Sequence, residues 1–212
     1  MRDYVIKICG IRHIPQAIKI ADFGATHIGM IYFPKSPRHI EIPQIQSIAS
    51  AIKGKAKSVA VVVNPELSEV RRLLNIVDII QFHGDEDIEF VKNFPKERVF
   101  KAFRIKDEKD INKMKPFFKE GYTVLIDAFS EKAYGGTGKQ IDRDIAKKVI
   151  DMYDRVILSG GLSPENLEEL LKELKPYGID ASSKLEKEPG IKDLEKTRRF
   201  IEIARKYYEP SD

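Results

Sequence analysis

The sequence predicts an α/β protein built as a single (β/α)8 TIM barrel spanning residues 1–212. Three observations lead there. Short apolar runs rich in β-branched residues recur about eight times along the chain, mostly continuous rather than alternating, as strands buried on both faces read. Segments with helical period lie between them, and alternating β and α implies parallel strands joined by right-handed crossovers. The first strand is followed by CGIRHIP and not by the GxGxxG that often follows the first strand of an open doubly wound sheet.

In chain order the expected strands are YVIKI at 4–8, HIGMIYF at 27–33, SVAVVV at 58–63 and VDIIQF at 77–82. VFKAF at 99–103, TVLIDAF at 123–129, RVILS at 155–159 and GIDAS at 178–182 complete the set. Among the helices, NPELSEVRRLL offers Asn64 as cap followed by Pro65, and SPENLEELLKELK repeats that scheme with Ser163 and Pro164. Leu167, Leu170, Leu171 and Leu174 then form one apolar stripe. The last segment, IKDLEKTRRFIEIARKYY, places Ile191, Leu194, Ile201 and Tyr208 on one face.

Composition narrows the function class. Hydrophobic residues make up 42% and charged residues 33%, above the usual ~25%, a balance that also occurs in heat-adapted proteins. The net charge of +4 is scattered over helical faces with no basic run, so no nucleic-acid partner is expected, while encounter with anionic metabolites is favoured. One cysteine excludes an internal disulfide. No apolar stretch approaches the ~20 residues of a membrane span, and MRDYVIKICG lacks the features of a secretory signal, so the expected compartment is the cytoplasm. The four histidines and lone cysteine make no ligand pair at standard spacing, so no metal and no cofactor are expected.

In such a barrel the chemistry gathers at the carboxyl ends of the strands. That rule singles out Cys9 and Gly10 after the first strand, Lys35 to Arg38 after the second, His83 and Gly84 after the fourth, Arg104 on the fifth and Asp127 on the sixth. SGGLSPE, with Gly160 and Gly161, and DASSK, with Ser182 and Ser183, follow the seventh and eighth strands, where barrels commonly hold phosphate on backbone N–H groups. GGTGK at 135–139 lacks the phosphate-loop spacing and reads as a mobile lid hinged on Gly136 and Gly138, or as a plain surface loop. A thiolate that takes a proton from carbon and a carboxylic acid that gives one to a departing oxygen suggest acid–base isomerisation of a bound sugar. Position alone leaves a packing role open for both Cys9 and Asp127.

These motifs resemble those of the phosphoribosylanthranilate isomerase family. The carriers are KICGI, FPKSPR, QFHGDE, LIDAF, GGTGK, LSGGLSPEN and DASS, in the family's order across roughly residues 4–205. The resemblance implies a cofactor-free Amadori rearrangement of N-(5-phosphoribosyl)anthranilate in tryptophan biosynthesis, with Asp127 as general acid and Cys9 as general base. It further implies Arg38 on the anthranilate carboxylate, Asp180 at the sugar hydroxyls with His83 also in the substrate site, and phosphate in the SGG and DASS loops. The expected assembly is a monomer or homodimer. Two alternatives accompany it: a histidine-pathway isomerase, which relies on an aspartate where this chain has Cys9, and a catalytically silent phosphate-binding barrel. Two departures stand out: Arg12 and His13 where the family commonly has Thr after CGI, and Lys184 where it commonly has Gly.

Overall fold

A computed structural model describes residues 4–128 and 142–209. The eight apolar runs close into a barrel in strand order 1 to 8. The strands are β1 (Val5–Cys9), β2 (His27–Tyr32), β3 (Lys57–Val62), β4 (Ile79–Phe82), β5 (Val99–Ile105), β6 (Thr123–Ala128), β7 (Val156–Leu158) and β8 (Gly178–Ala181). All eight pairings are parallel, and β1 pairs with β8 from Val5↔Gly178 to Ile8↔Ala181, which seals the ring. Outside them lie α1 (Ile14–Asp22), α2 (Ile42–Ala51), α3 (Leu67–Leu74), the single turn α4 (Ile88–Val91), α5 (Lys109–Glu120), α6 (Arg143–Met152), α7 (Leu167–Leu174) and α8 (Leu194–Tyr208). No helix among the described residues is long and apolar enough to cross a membrane.

Two apolar clusters explain why the runs are continuous. The larger lies between strands and helices and includes Ile6, Ile8, Ile28, Val62, Leu73, Met114, Leu171 and Phe200. The smaller fills the barrel interior with Val5, Val59, Ile79, Phe100, Ala102, Leu125 and Ile157. Side chains alternate along a strand, so Lys7 and Cys9 share the inward face of Val5, and Asp127 shares that of Leu125. The inward register therefore changes from apolar at the base to polar at the carboxyl-end mouth.

The helix starts depart from expectation at two places. Asn64 does not cap α3; it takes a left-handed conformation (φ 47°), its Oδ1 accepts from Asp85 N at 2.7 Å, and Glu66 is the cap. Ser163 and Pro164 likewise lie in a turn ahead of α7, where Ser163 N donates to Asn166 Oδ1 and Asn166 becomes the cap. In both cases a polar side chain is committed to a loop, and the helix begins later. Ile191 belongs to neither the last helix nor its stripe. It lies in a small antiparallel hairpin, β9 (Glu186–Glu188) and β10 (Ile191–Lys192), inserted between β8 and α8. Helix α8 opens at Asp193, whose carboxylate accepts from Glu195 N and Lys196 N, and it buries Thr197, Phe200, Ile201 and Ala204.

Gly178 sits at the closure seam. A Cβ there would come within 2.5 Å of Val5 Cβ and 2.8 Å of Val5 O, so the two strands approach only because the side chain is absent. Gly178→Ala should cost about 1–3 kcal/mol of overpacking, read from the urea midpoint; an unchanged midpoint would mean that the seam is soft.

Candidate active site

Cys9 is buried at the last position of β1, where KICGIR meets its loop. Directly below it on the same face, Lys7 is fully buried and donates from Nζ to Asp180 Oδ1 at 2.9 Å, the two being register partners across the seam. Gly29 on β2 makes the space for both: a Cβ there would stand 2.8 Å from Cys9 Sγ and 3.0 Å from Lys7 Nζ. Burial pushes the thiol's pKa above its ordinary value, while the Lys7 ammonium opposes that by favouring the thiolate. Lys7 itself stays protonated, since Asp180 and Cys9 raise its pKa against the effect of burial.

Asp127 lies near the end of β6, three strands from β1 around the ring through β8 and β7. His83, just past β4, brings Nε2 to 3.6 Å from Asp127 Oδ2. Gln81 Nε2 donates to His83 Nδ1 at 3.3 Å, which leaves the proton of a neutral ring on Nε2. Burial, reinforced by Lys101, Lys7 and Arg104, lowers the imidazole pKa to about 3, so the ring is neutral at physiological pH. Arg104, the register partner of Asp127 on β5, reaches Asp85 Oδ1 at 3.3 Å.

The loop carrying His83 is fixed from outside the barrel. Glu86 accepts from Asn64 N (2.7 Å) and Gly84 N (3.0 Å), and Lys101 Nζ donates to Glu86 Oε2 (3.1 Å) and Gly84 O (2.8 Å). Both members of that ion pair are buried.

On the other side of the mouth, Arg38 packs over Gly10, where a Cβ would meet Arg38 Cδ at 2.7 Å and Ser182 Oγ at 3.1 Å. Its guanidinium is joined to Glu186 by three contacts, Nε to both carboxylate oxygens at 2.9 and 3.1 Å and Nη2 to Oε2 at 2.7 Å. Gly160 and Gly161 both take positive φ, 94° and 69°, backbone that suits glycine. Ser182 Oγ donates to Cys9 O at 3.0 Å, and Ser183 opens a 3-10 turn ending at Leu185. The α7 start stands several residues beyond Gly161 rather than directly after it, so the seventh loop offers backbone geometry without an adjacent helix end.

The departures at Lys184 and Arg12 are accommodated. Lys184 stands inside the 3-10 turn with no positive φ to require glycine. Arg12 packs over the hairpin turn, where a Cβ on Gly190 would meet Arg12 Cδ at 2.4 Å. GGTGK, with Gly136 and Gly138, lies outside the described residues.

Cys9, Arg38, His83, Asp127, Asp180 and both small-residue loops thus stand on the inward face or carboxyl-end loops of one barrel. Residues 6–203 match the family described as N-(5'phosphoribosyl)anthranilate (PRA) isomerase. The chain belongs to the phosphoribosylanthranilate isomerase family. A curated relative named N-(5'-phosphoribosyl)anthranilate isomerase, from Sulfurihydrogenibium sp. (strain YO3AOP1), is 56% identical over 201 residues, covering 95% of this chain and 98% of the relative. The crystal structure of phosphoribosyl anthranilate isomerase from Thermotoga maritima aligns with a TM-score of 0.87 at 28% identity, over 95% of this chain and 98% of that one. A structure of a phosphoribosyl anthranilate isomerase in complex with reduced 1-(o-carboxyphenylamino)-1-deoxyribulose 5-phosphate aligns at 0.84 with 27% identity and the same coverage of 95% and 98%. Within the phosphoribosylanthranilate isomerase framework, sequence reasoning missed Lys7, Glu186 and Lys192. Lys7 carried a usable signal, since a lysine between Ile6 and Ile8 in a buried run needs a partner.

Lys7→Met tests the thiol's environment. Removing the ammonium should move the pH curve for alkylation of Cys9 by a small haloacetamide upward, because the charge that favours the thiolate is gone. It should also cost about 3–5 kcal/mol in urea unfolding, because Asp180 is left buried and unpaired. A curve that stays put would detach Lys7 from the thiol.

Proposed function

We propose that the barrel mouth catalyses the cofactor-free Amadori rearrangement of N-(5-phosphoribosyl)anthranilate to 1-(2-carboxyphenylamino)-1-deoxyribulose 5-phosphate, a step of tryptophan biosynthesis, with Asp127 as general acid and Cys9 as general base. The observation that carries this reading is the inward register of both groups at the carboxyl ends of β6 and β1 in a chain of this family.

The protonated carboxyl of Asp127 gives its proton to the furanose ring oxygen, the C1–O bond breaks, and the anilinic nitrogen supplies the electrons that form a protonated Schiff base. Neutral His83, with Nε2 3.6 Å from Asp127 Oδ2, adds no positive charge that would hold the carboxyl ionised. The Schiff base acidifies the C2–H bond, and Cys9 removes that proton to give an enolamine, which tautomerises to the ketone. The raised thiol pKa keeps most of the resting enzyme in the thiol form at neutral pH. The cationic Schiff base then works in the same direction as Lys7, since a nearby positive charge favours the thiolate. Base strength is thereby concentrated at the step that uses it.

Asp180, held by Lys7, serves the sugar hydroxyls, and Arg38 takes the anthranilate carboxylate, a role suited to a guanidinium fork. Gly160, Gly161, Ser182 and Ser183 receive the phosphate through backbone N–H groups and hydroxyls.

Loss of substrate fluorescence on turnover provides the assay. Cys9→Ala and Asp127→Asn should each lower kcat by ~10² or more, and near-normal turnover in either would remove that residue's role. Arg38→Ala should raise KM far more than it lowers kcat; an unchanged KM would remove the carboxylate contact.

A further inference from the structure

Glu186 has no part in the acid–base chemistry, yet its carboxylate is heavily engaged at the mouth. Its oxygens hold Arg38 by three contacts and also accept from Lys192 Nζ at 2.8 Å and Gly190 N at 3.2 Å. Lys192 is fully buried and also donates to Ser182 O at 3.1 Å, while its backbone is tied to Gln16 on α1 in both directions. Ser182 Oγ in turn reaches Cys9 O. The hairpin of β9 and β10 thus carries a carboxylate to the second loop and locks it there from three elements.

We propose that Glu186 is a positioning residue that makes Arg38 a preformed receptor for a substrate carboxylate and so sets the preference for an aryl amine bearing one. The proposal rests on the reading that Arg38 meets that carboxylate. Two features support it. A guanidinium has two edges able to grip a carboxylate. Glu186 occupies the Nε/Nη2 edge, and among the described residues no acceptor meets Nη1, so the Nη1/Nη2 edge is the one left for a ligand. The second feature is charge. Arg38 and Lys192 share the single carboxylate of Glu186, and burial pushes the Lys192 pKa down, so the cluster is short of negative charge for two cations. Lys7 cannot serve as its counterpart, since it carries the same sign and is already matched by Asp180. A buried surplus charge is costly until an anion neutralises it, and a carboxylate on the ligand is the group that fits the remaining edge.

Glu186→Gln is the test. The amide nitrogen would face Arg38 Nη2 or Lys192 where an oxygen now accepts, releasing the guanidinium without changing side-chain volume. Two inhibitors are compared by titration calorimetry: reduced 1-(o-carboxyphenylamino)-1-deoxyribulose 5-phosphate and its phenylamino counterpart without the carboxylate. Glu186→Gln should lose at least roughly tenfold in affinity for the first and keep the wild-type affinity for the second, with KM raised more than kcat is lowered. Equal loss for both ligands, or no loss for either, would overturn the proposal. If Glu186→Gln fails to fold, Glu186→Asp, which retracts the charge by one methylene, must show the same selective loss; wild-type discrimination there also overturns it. Arg38→Ala separates the two levels. If it does not discriminate between the ligands, the carboxylate contact itself is wrong; if it discriminates and the Glu186 variants do not, only the positioning role fails.

Discussion

The buried contact between Lys7 and Asp180 is the constraint on which both the barrel and its site depend. It spans the seam where the first and last strands meet, so the pairing that closes the ring is also the one that commits a charge to the interior. Two ions taken out of water are tolerable only as a pair with good geometry, and the register of β1 on β8 supplies that. A slip of one residue would turn Lys7 toward the apolar layer beneath the helices and carry Cys9 out of the mouth with it. Closure and thiol placement are therefore one event.

Above that pair the mouth divides into two halves with different electrostatics. On the β4 to β6 side, a neutral imidazole stands beside the carboxyl of Asp127. On the β1, β2 and β8 side, cations accumulate around the sulfur: Lys7 beneath it, with Arg38 and Lys192 beyond Gly10 and Ser182. The small-residue loops after β7 and β8 border the cationic half. A substrate bearing both a phosphate and an aryl carboxylate would be drawn to this half by charge before any proton moves.

Much of this was legible in the residues. Continuous apolar runs announced strands covered on both faces, and their number matched a closed ring. Asp127 was conspicuous because a carboxylate inside TVLIDAF needs a reason to be there. Lys7 obeyed the same logic and was passed over, because a lysine beside the terminus of a first strand reads as solvent-facing unless its register partner is known. Glu186 and Lys192 gave no signal: EKEPGIK resembles an exposed turn, and only the hairpin brings its charges inward. Asn64 and Ser163 do not cap as expected: sequence does not show that the Asp85 loop claims the Asn64 side chain, nor that a further turn held by Asn166 delays the start of α7.

The clamp formed by Asn64, Glu86 and Lys101 has a mechanical consequence. It welds the third and fourth crossing loops into one rigid piece and roots that piece in β5, so the imidazole inherits the stillness of the barrel wall rather than the looseness of surface chain. Thermal agitation in the outer helices would have to break a shielded ion pair before it could disturb His83, which gives this side of the cup a built-in damper.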